Sequence, residues 1–224
     1  MRKIDKLQPP NSLITYSQTT NPNDPSYKPT YEGLDSNVIK DIKEKLLNEQ
    51  GWVCGYCMQK INKSNMTIEH HCEQSICNGE NGTTDRTLHY TNMLAVCQGK
   101  THSEQHCDKQ KSKFDAQSGL PMSLSPWERA HMNTISFKSS GQIKSSNLNY
   151  DNELNKFLNL NAKFLKDLRG SKFRKIFAAS KHSKVAIQKA KMRSILERDL
   201  QKTGYSFSND FPGLSEFMLT NFCS

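Results

Sequence analysis

The clearest periodic pattern in the chain is SNVIKDIKEKLLNEQG, where Val38, Ile39, Ile42, Leu46 and Leu47 recur at three- and four-residue spacing among Lys and Glu. That spacing predicts an amphipathic helix with one buried face. Asp35 or Ser36 can cap its start, and Gly51 can end it. Residues 1–35 are different: they are rich in Pro, Asn, Ser and Thr and include NPNDPSYKPTYEGL. Proline at that density predicts an extended N-terminal arm or a series of turns without regular helix, able to drape over the domain or a partner. Further on, MNTISFKSSGQIKSSN has β-prone flanks around a Ser-Gly turn and predicts a hairpin. In YDNELNKFLNLNAKFLKDLRG, Leu154, Phe157, Leu158, Phe164, Leu165 and Leu168 fall at helical spacing, and Gly170 is expected to break the helix. A basic helix or helix pair then runs from about Lys172 to Lys202. An aromatic tail, GYSFSNDFPGLSEFMLTNFCS, is expected to dock on it.

Residues 52–117 lack long helical periodicity before CDKQKSKFDAQ, yet they hold six of the seven Cys and five of the seven His. This points to a small unit of hairpin, loop and helix organised by a metal. The mean hydropathy of −0.76 implies a modest core for 224 residues. A net charge of +9 favours an acidic partner, of which nucleic acid is the commonest. No apolar run reaches the length of a membrane span, and the N-terminus lacks the apolar core of a signal peptide. The expected location is therefore cytoplasmic, where paired cysteines serve as metal ligands more often than as disulfides.

Cys54 and Cys57 in WVCGYC form a C-x-x-C knuckle that can present two thiolates to one tetrahedral ion. Two more ligands must come from elsewhere, with Cys72, Cys77, Cys97, Cys107 and the histidines at 70, 71, 89, 102 and 106 as candidates. Cys97 ends the apolar stretch MLAVC and Cys107 precedes a helix, so both are placed to converge on the knuckle. The favoured set is Cys54, Cys57, Cys97 and Cys107 around a structural zinc with no open coordination position. His106 is the nearest substitute. Cys72 and Cys77 read as unligated loop thiols, and Cys223 as a small apolar side chain.

Phosphodiester hydrolysis needs a base to activate water and a divalent ion, held by hard oxygen ligands, at the scissile phosphate. IEHH offers Glu69 beside His70, YTNMLAVC offers Asn92, and HCDKQKSK offers Asp108 with Lys109, Lys111 and Lys113. In this order, from C-x-x-C through IEH and Asn92 to CDKQK, the chain resembles the HNH endonucleases. LLNEQGWVCGYC, MTIEHHCEQS, YTNMLAVCQGK and LNLNAKFL narrow the likeness to the HNH nucleases of retron and Septu anti-phage systems, the PtuB-like type. The resemblance implies an α+β fold: a small ββα-metal core with its zinc site, embedded in a mainly helical chain. It also implies catalytic Mg2+ or Mn2+ and a PtuA-like ABC/SMC ATPase partner. Carried over by position, Glu69 and Asp108 hold the catalytic ion, His70 is the general base, and Asn92 orients the base or braces its loop. Lys111 faces phosphate, with Lys109 and Lys113 beside it. His71, where an apolar residue is common, is assigned to support, and Glu73 stands where a proline is frequent.

The expected organisation is an arm at 1–35, the nuclease core at 36–120, and a hairpin plus helical region at 121–224. The competing reading is a zinc-organised adaptor without catalysis, which would need the cysteines but have no use for Glu69, His70 and Asp108. The basic residues from Lys172 to Arg193 suit phosphate contact, a solvated helix face or an ATPase interface.

Overall fold

The computed structural model describes residues 1–80, 85–101, 104–118 and 121–223. His102, one of the histidines weighed as a zinc ligand, lies outside them. The elements in chain order are α1 Asn11–Ser17, α2 Ser36–Gln50, β1 Met66–His70, β2 Met93–Cys97, β3 Lys100–Thr101, β4 Glu104–Gln105 and α3 Cys107–Ser118. There follow α4 Arg129–Met132, β5 Ile135–Phe137, β6 Ile143–Ser145 and α5 Leu148–Asn152, the last running into a wider π turn at Glu153–Phe157. The chain closes with α6 Lys163–Ser180, α7 Val185–Asp199, β7 Lys202–Thr203, β8 Ser206–Phe207 and α8 Pro212–Phe222. The fold is thus α+β, mostly helical, with the strands paired two by two, β1–β2, β3–β4, β5–β6 and β7–β8, in antiparallel ladders.

Helix α2 forms where the periodicity places it. The Asp35 carboxylate accepts the Asn37 and Val38 N–H groups, and Gly51 ends the helix at φ 73°. Val38, Ile42, Leu46 and Leu47 are buried on one face, against the core strand β2. A fully buried leucine of this kind contributes about 1.5–3 kcal/mol.

The arm departs from expectation. Asn11–Ser17 is helical because Pro9 and Pro10 stand before its first turn, where a missing N–H costs nothing. Met1, Ile4 and Leu13 are buried in the core, and Ile4 N–H donates to the Pro126 carbonyl, so the arm is part of the body.

Gly170 does not break a helix either; it lies inside α6. A Cβ there would stand 3.0 Å from the Ser140 carbonyl, so glycine is needed for the β5–β6 turn to lie against the helix. The actual break falls at Asn159, in the left-handed region at φ 44°. Leu168, one of the residues at helical spacing, is 45% exposed. Buried Arg169 secures the same joint, donating to the carbonyls of Gly141 at 2.7 Å and Leu160 at 2.6 Å. Among the described residues, no helix is long and apolar enough to cross a membrane.

Candidate active site and metal centre

The knuckle folds because Cys54 N–H donates to the Gln59 carbonyl and Met58 N–H donates back to the Cys54 carbonyl, turning both thiols inward. Cys97 arrives at the end of β2 and Cys107 at the first turn of α3. The ligand atoms of Cys54, Cys57, Cys97 and Cys107 all lie within 4.8 Å of one another. Cys54 and Cys107 Sγ are 3.9 Å apart, and Cys57 and Cys97 Sγ 3.7 Å. A tetrahedral ion with Zn–S bonds of about 2.3 Å needs sulfurs about 3.8 Å apart, so the cluster fits zinc. Burial pushes the Cys57 and Cys107 thiols up, so metal entry must be coupled to proton release. His106 is buried beside the cluster, its Nδ1 3.2 Å from Cys107 Sγ and its ring against Phe164. It stands next to the four sulfurs rather than in place of one.

A second cluster lies where β1 meets α3. Strand β1 pairs with β2 from Met66↔Cys97 to His70↔Met93, which puts Glu69 and His70 at the end of the ladder away from the zinc cysteines. Helix α3 then brings Asp108 and Lys111 to Glu69. Glu69 is buried, with Oε1 3.0 Å from Lys111 Nζ and 3.3 Å from the Tyr56 hydroxyl that donates to it. Asp108 stands close enough to Glu69 for the two carboxyl groups to feel one another's charge. Burial pushes Glu69 up to about 8 against the opposing pull of Lys111. Asp108 is also raised, again chiefly by burial. A divalent cation held by the two carboxylates would relieve that cost, and the oxygen donors are the kind magnesium and manganese prefer.

His70 ends β1 and His71 follows it, and the two rings meet different partners. The His70 ring is buried, with Nε2 2.8 Å from the Thr87 carbonyl and its plane nearly perpendicular to the ring of Tyr31. A carbonyl can only accept, so Nε2 carries the proton and Nδ1 is the basic nitrogen. Gln74 Nε2 donates to that Nδ1 at 3.1 Å. Burial lowers the His70 pKa, which keeps the ring neutral and able to take a proton near pH 7. His71 Nε2 instead meets the Leu124 carbonyl at 3.0 Å, and its ring packs on Trp127. Burial holds His71 down at about 4. It anchors β1 to the segment that follows α3.

Asn92 is buried and clamps the long β1–β2 connection. Its Oδ1 accepts from Cys72 N–H, and its Nδ2 donates to the carbonyls of Cys72 and Arg86. It thereby holds both ends of the loop that presents Thr87 to His70.

Lys111 differs most from its expected role. Its side chain is wholly buried, contacting Glu69, Glu73 at 3.6 Å and the His70 carbonyl at 3.2 Å, so it faces carboxylates rather than a solvent-borne phosphate. Its position four residues after Cys107 places it on the inward side of α3. Lys109 and Lys113 are exposed on that helix. Cys72 and Cys77, read as loop thiols, are joined in a disulfide with Cα atoms 6.0 Å apart. The turn that brings them together is closed by the Glu73 carbonyl, which accepts from Ile76 and Cys77 N–H. Gln74 and Thr87 carry no signal in the sequence, since one is an unremarkable amide and the other acts through its backbone.

No family model matches the chain. A relative from Escherichia coli, provisionally named Retron Ec83 HNH endonuclease, is 26% identical over 128 residues. The similarity is to an HNH nuclease. It covers 51% of this chain and 47% of the relative, so the match spans about half of each. Endonuclease chemistry on nucleic acid is the family-level activity that this likeness supports.

Proposed function

We propose that the chain is a metal-dependent HNH endonuclease in which β1, β2 and α3 form a ββα-metal core. The observation that carries this reading is the approach of Asp108 to Glu69, from a helix and a strand far apart in sequence, with His70, whose tautomer is set, next to Glu69 in the chain. A zinc-only adaptor would gain nothing from burying Glu69 and bringing a second, half-buried carboxyl group to it. Glu69 and Asp108 would hold Mg2+ or Mn2+, which when bound supplies positive charge to the scissile phosphate and the departing 3′ oxygen.

The chain's own residues do the rest. His70 Nδ1 takes a proton from water while Nε2–H stays on the Thr87 carbonyl, which holds the ring in the plane needed for transfer. Gln74 must yield Nδ1 to that water. Asn92 keeps the loop, and with it Thr87, in place. Attack in line on phosphorus breaks the bond to the 3′ oxygen and leaves 5′-phosphate ends. Lys109 and Lys113 are the exposed cations of α3 nearest in sequence to Asp108, suited to neighbouring phosphates. The likeness to a retron-associated protein supports a role in anti-phage defence of the retron or Septu, PtuB-like, type. A PtuA-like ABC/SMC ATPase would then be the partner that restrains the nuclease.

The test is cleavage of plasmid DNA and of a folded RNA with Mg2+, Mn2+ or EDTA, alone and with the co-expressed ATPase. Metal-dependent cutting to 5′-phosphate ends is expected on one of the substrates. Loss of neither substrate under any of these conditions would favour the adaptor.

A further inference from the structure

We propose that the corner between α6 and α7 is a second nucleic-acid surface, on elements other than those that carry Glu69, His70 and Asp108, that grips the phosphate backbone and holds substrate to the enzyme. That the polyanion is nucleic acid rests on the nuclease reading; the charge of the corner does not.

Helices α6 and α7 are joined by four residues and pack against one another. Lys172 of α6 pairs with Asp199 of α7 at 2.6 Å, which sets their antiparallel register at the end away from the connection. The charge along this pair of helices is segregated. From residue 168 to residue 196 the sequence contains no Asp or Glu. The carboxylates at either limit, Asp167, Glu197 and Asp199, all belong to the opposite end. At the corner itself Lys181, Lys184, Lys189 and Lys191 are exposed, and no acidic residue of these helices lies among them. What α7 buries, Met192 and Leu196, lies farther from the corner.

Magnitudes favour a polyanion of high linear charge density. Lys184 to Lys191 spans seven residues, about 10 Å of helix axis at 1.5 Å per residue. Over that length a DNA duplex presents about six phosphates, one per 1.7 Å. Lys184 and Lys191, seven residues apart, share one face of α7, so a backbone lying along that face meets both, at a charge density that an ordinary protein surface does not offer. Val185 is also exposed, at 66%, between these lysines, where it can add apolar contact to sugar edges.

The test is equilibrium binding of a fluorescent 20-base-pair DNA duplex, and of an RNA duplex of equal length, in EDTA so that no cleavage intervenes. The variant Lys184→Gln/Lys191→Gln is compared with Lys40→Gln/Lys138→Gln, whose lysines are exposed on α2 and in the β5–β6 turn. Each pair removes two charges, from +9 to +7, so net charge is matched. Losing two phosphate contacts should lower the slope of log K against log salt by about 1.8 and weaken binding about 30-fold at 0.15 M salt. The control pair should stay within about threefold of the wild type. If the two pairs behave alike, or the corner variant keeps its slope, the proposal is overturned. Capture of an acidic protein by the corner with duplex affinity unchanged overturns it equally. Because catalysis is not read, failure here leaves the nuclease reading standing, and a catalytically dead chain that binds through this corner leaves the present proposal standing.

Discussion

Substituting His71 tests whether the two adjacent histidines are as different as their surroundings make them. His71 is held down at about 4, first by burial and then by the nearby Lys111, with the Leu124 carbonyl opposing. An unfolded-state histidine titrates near 6.5. Between these values the unfolded chain binds a proton that the folded chain refuses, so stability is lost as pH falls. From pH 7 to pH 5 the loss works out to about 1.8 kcal/mol, and it approaches about 3.4 kcal/mol at lower pH, at 1.36 kcal/mol per unit. Glu69 has the opposite sign, because a buried acid with a raised pKa is relieved as pH falls. The informative quantity is therefore the difference between wild type and His71→Gln, whose amide can still donate to Leu124. Urea unfolding of the zinc-loaded proteins at both pH values should show the wild type losing about 1.8 kcal/mol more than the variant. Equal losses would mean that His71 titrates normally, and the assignment of distinct roles to His70 and His71 would lose its electrostatic basis.

The four-cysteine cluster should carry one zinc per chain by elemental analysis, and Cys107→Ser should abolish it with loss of the native fold, since structural zinc binding is worth about 10–16 kcal/mol in small domains. Alkylation of the denatured, zinc-stripped chain without reductant should label five cysteines, leaving Cys72 and Cys77 protected; labelling of all seven would rule out the disulfide. Gln74→Ala removes a donor that favours neutral His70, so the acidic limb of the pH–rate profile should move upward in pH. A profile that stays put would mean Gln74 does not reach the base in the working enzyme.

How much of this was readable depended on whether the signal was local. Helix α2 was legible because its caps, Asp35 and Gly51, and its apolar face all lie within one short stretch. The zinc cysteines were legible because C-x-x-C is a strong local motif and the other two end a strand and begin a helix. Gly170 misled because a glycine in a helical pattern has two causes, a break or a close approach, and only the β5–β6 turn against it distinguishes them. The same holds for Pro9 and Pro10, which forbid helix within themselves but permit one immediately after. Lys111 misled because a lysine in a basic run beside a candidate site reads as a phosphate contact, whereas the partners that bury its ammonium come from β1 and the loop beyond it. The Cys72–Cys77 bond ran against the compartment argument, which speaks to populations of proteins and not to two thiols drawn together by one turn.

The central claim is that His70, and not its neighbour, activates water beside an ion held by Glu69 and Asp108. Single-turnover cleavage with saturating Mg2+ compares wild type, His70→Ala and His71→Ala after zinc content and folding are matched. The account expects His70→Ala to lose about 10²–10⁴-fold in rate and His71→Ala to stay within about tenfold. Full activity in His70→Ala, or its loss in His71→Ala alone, would contradict it.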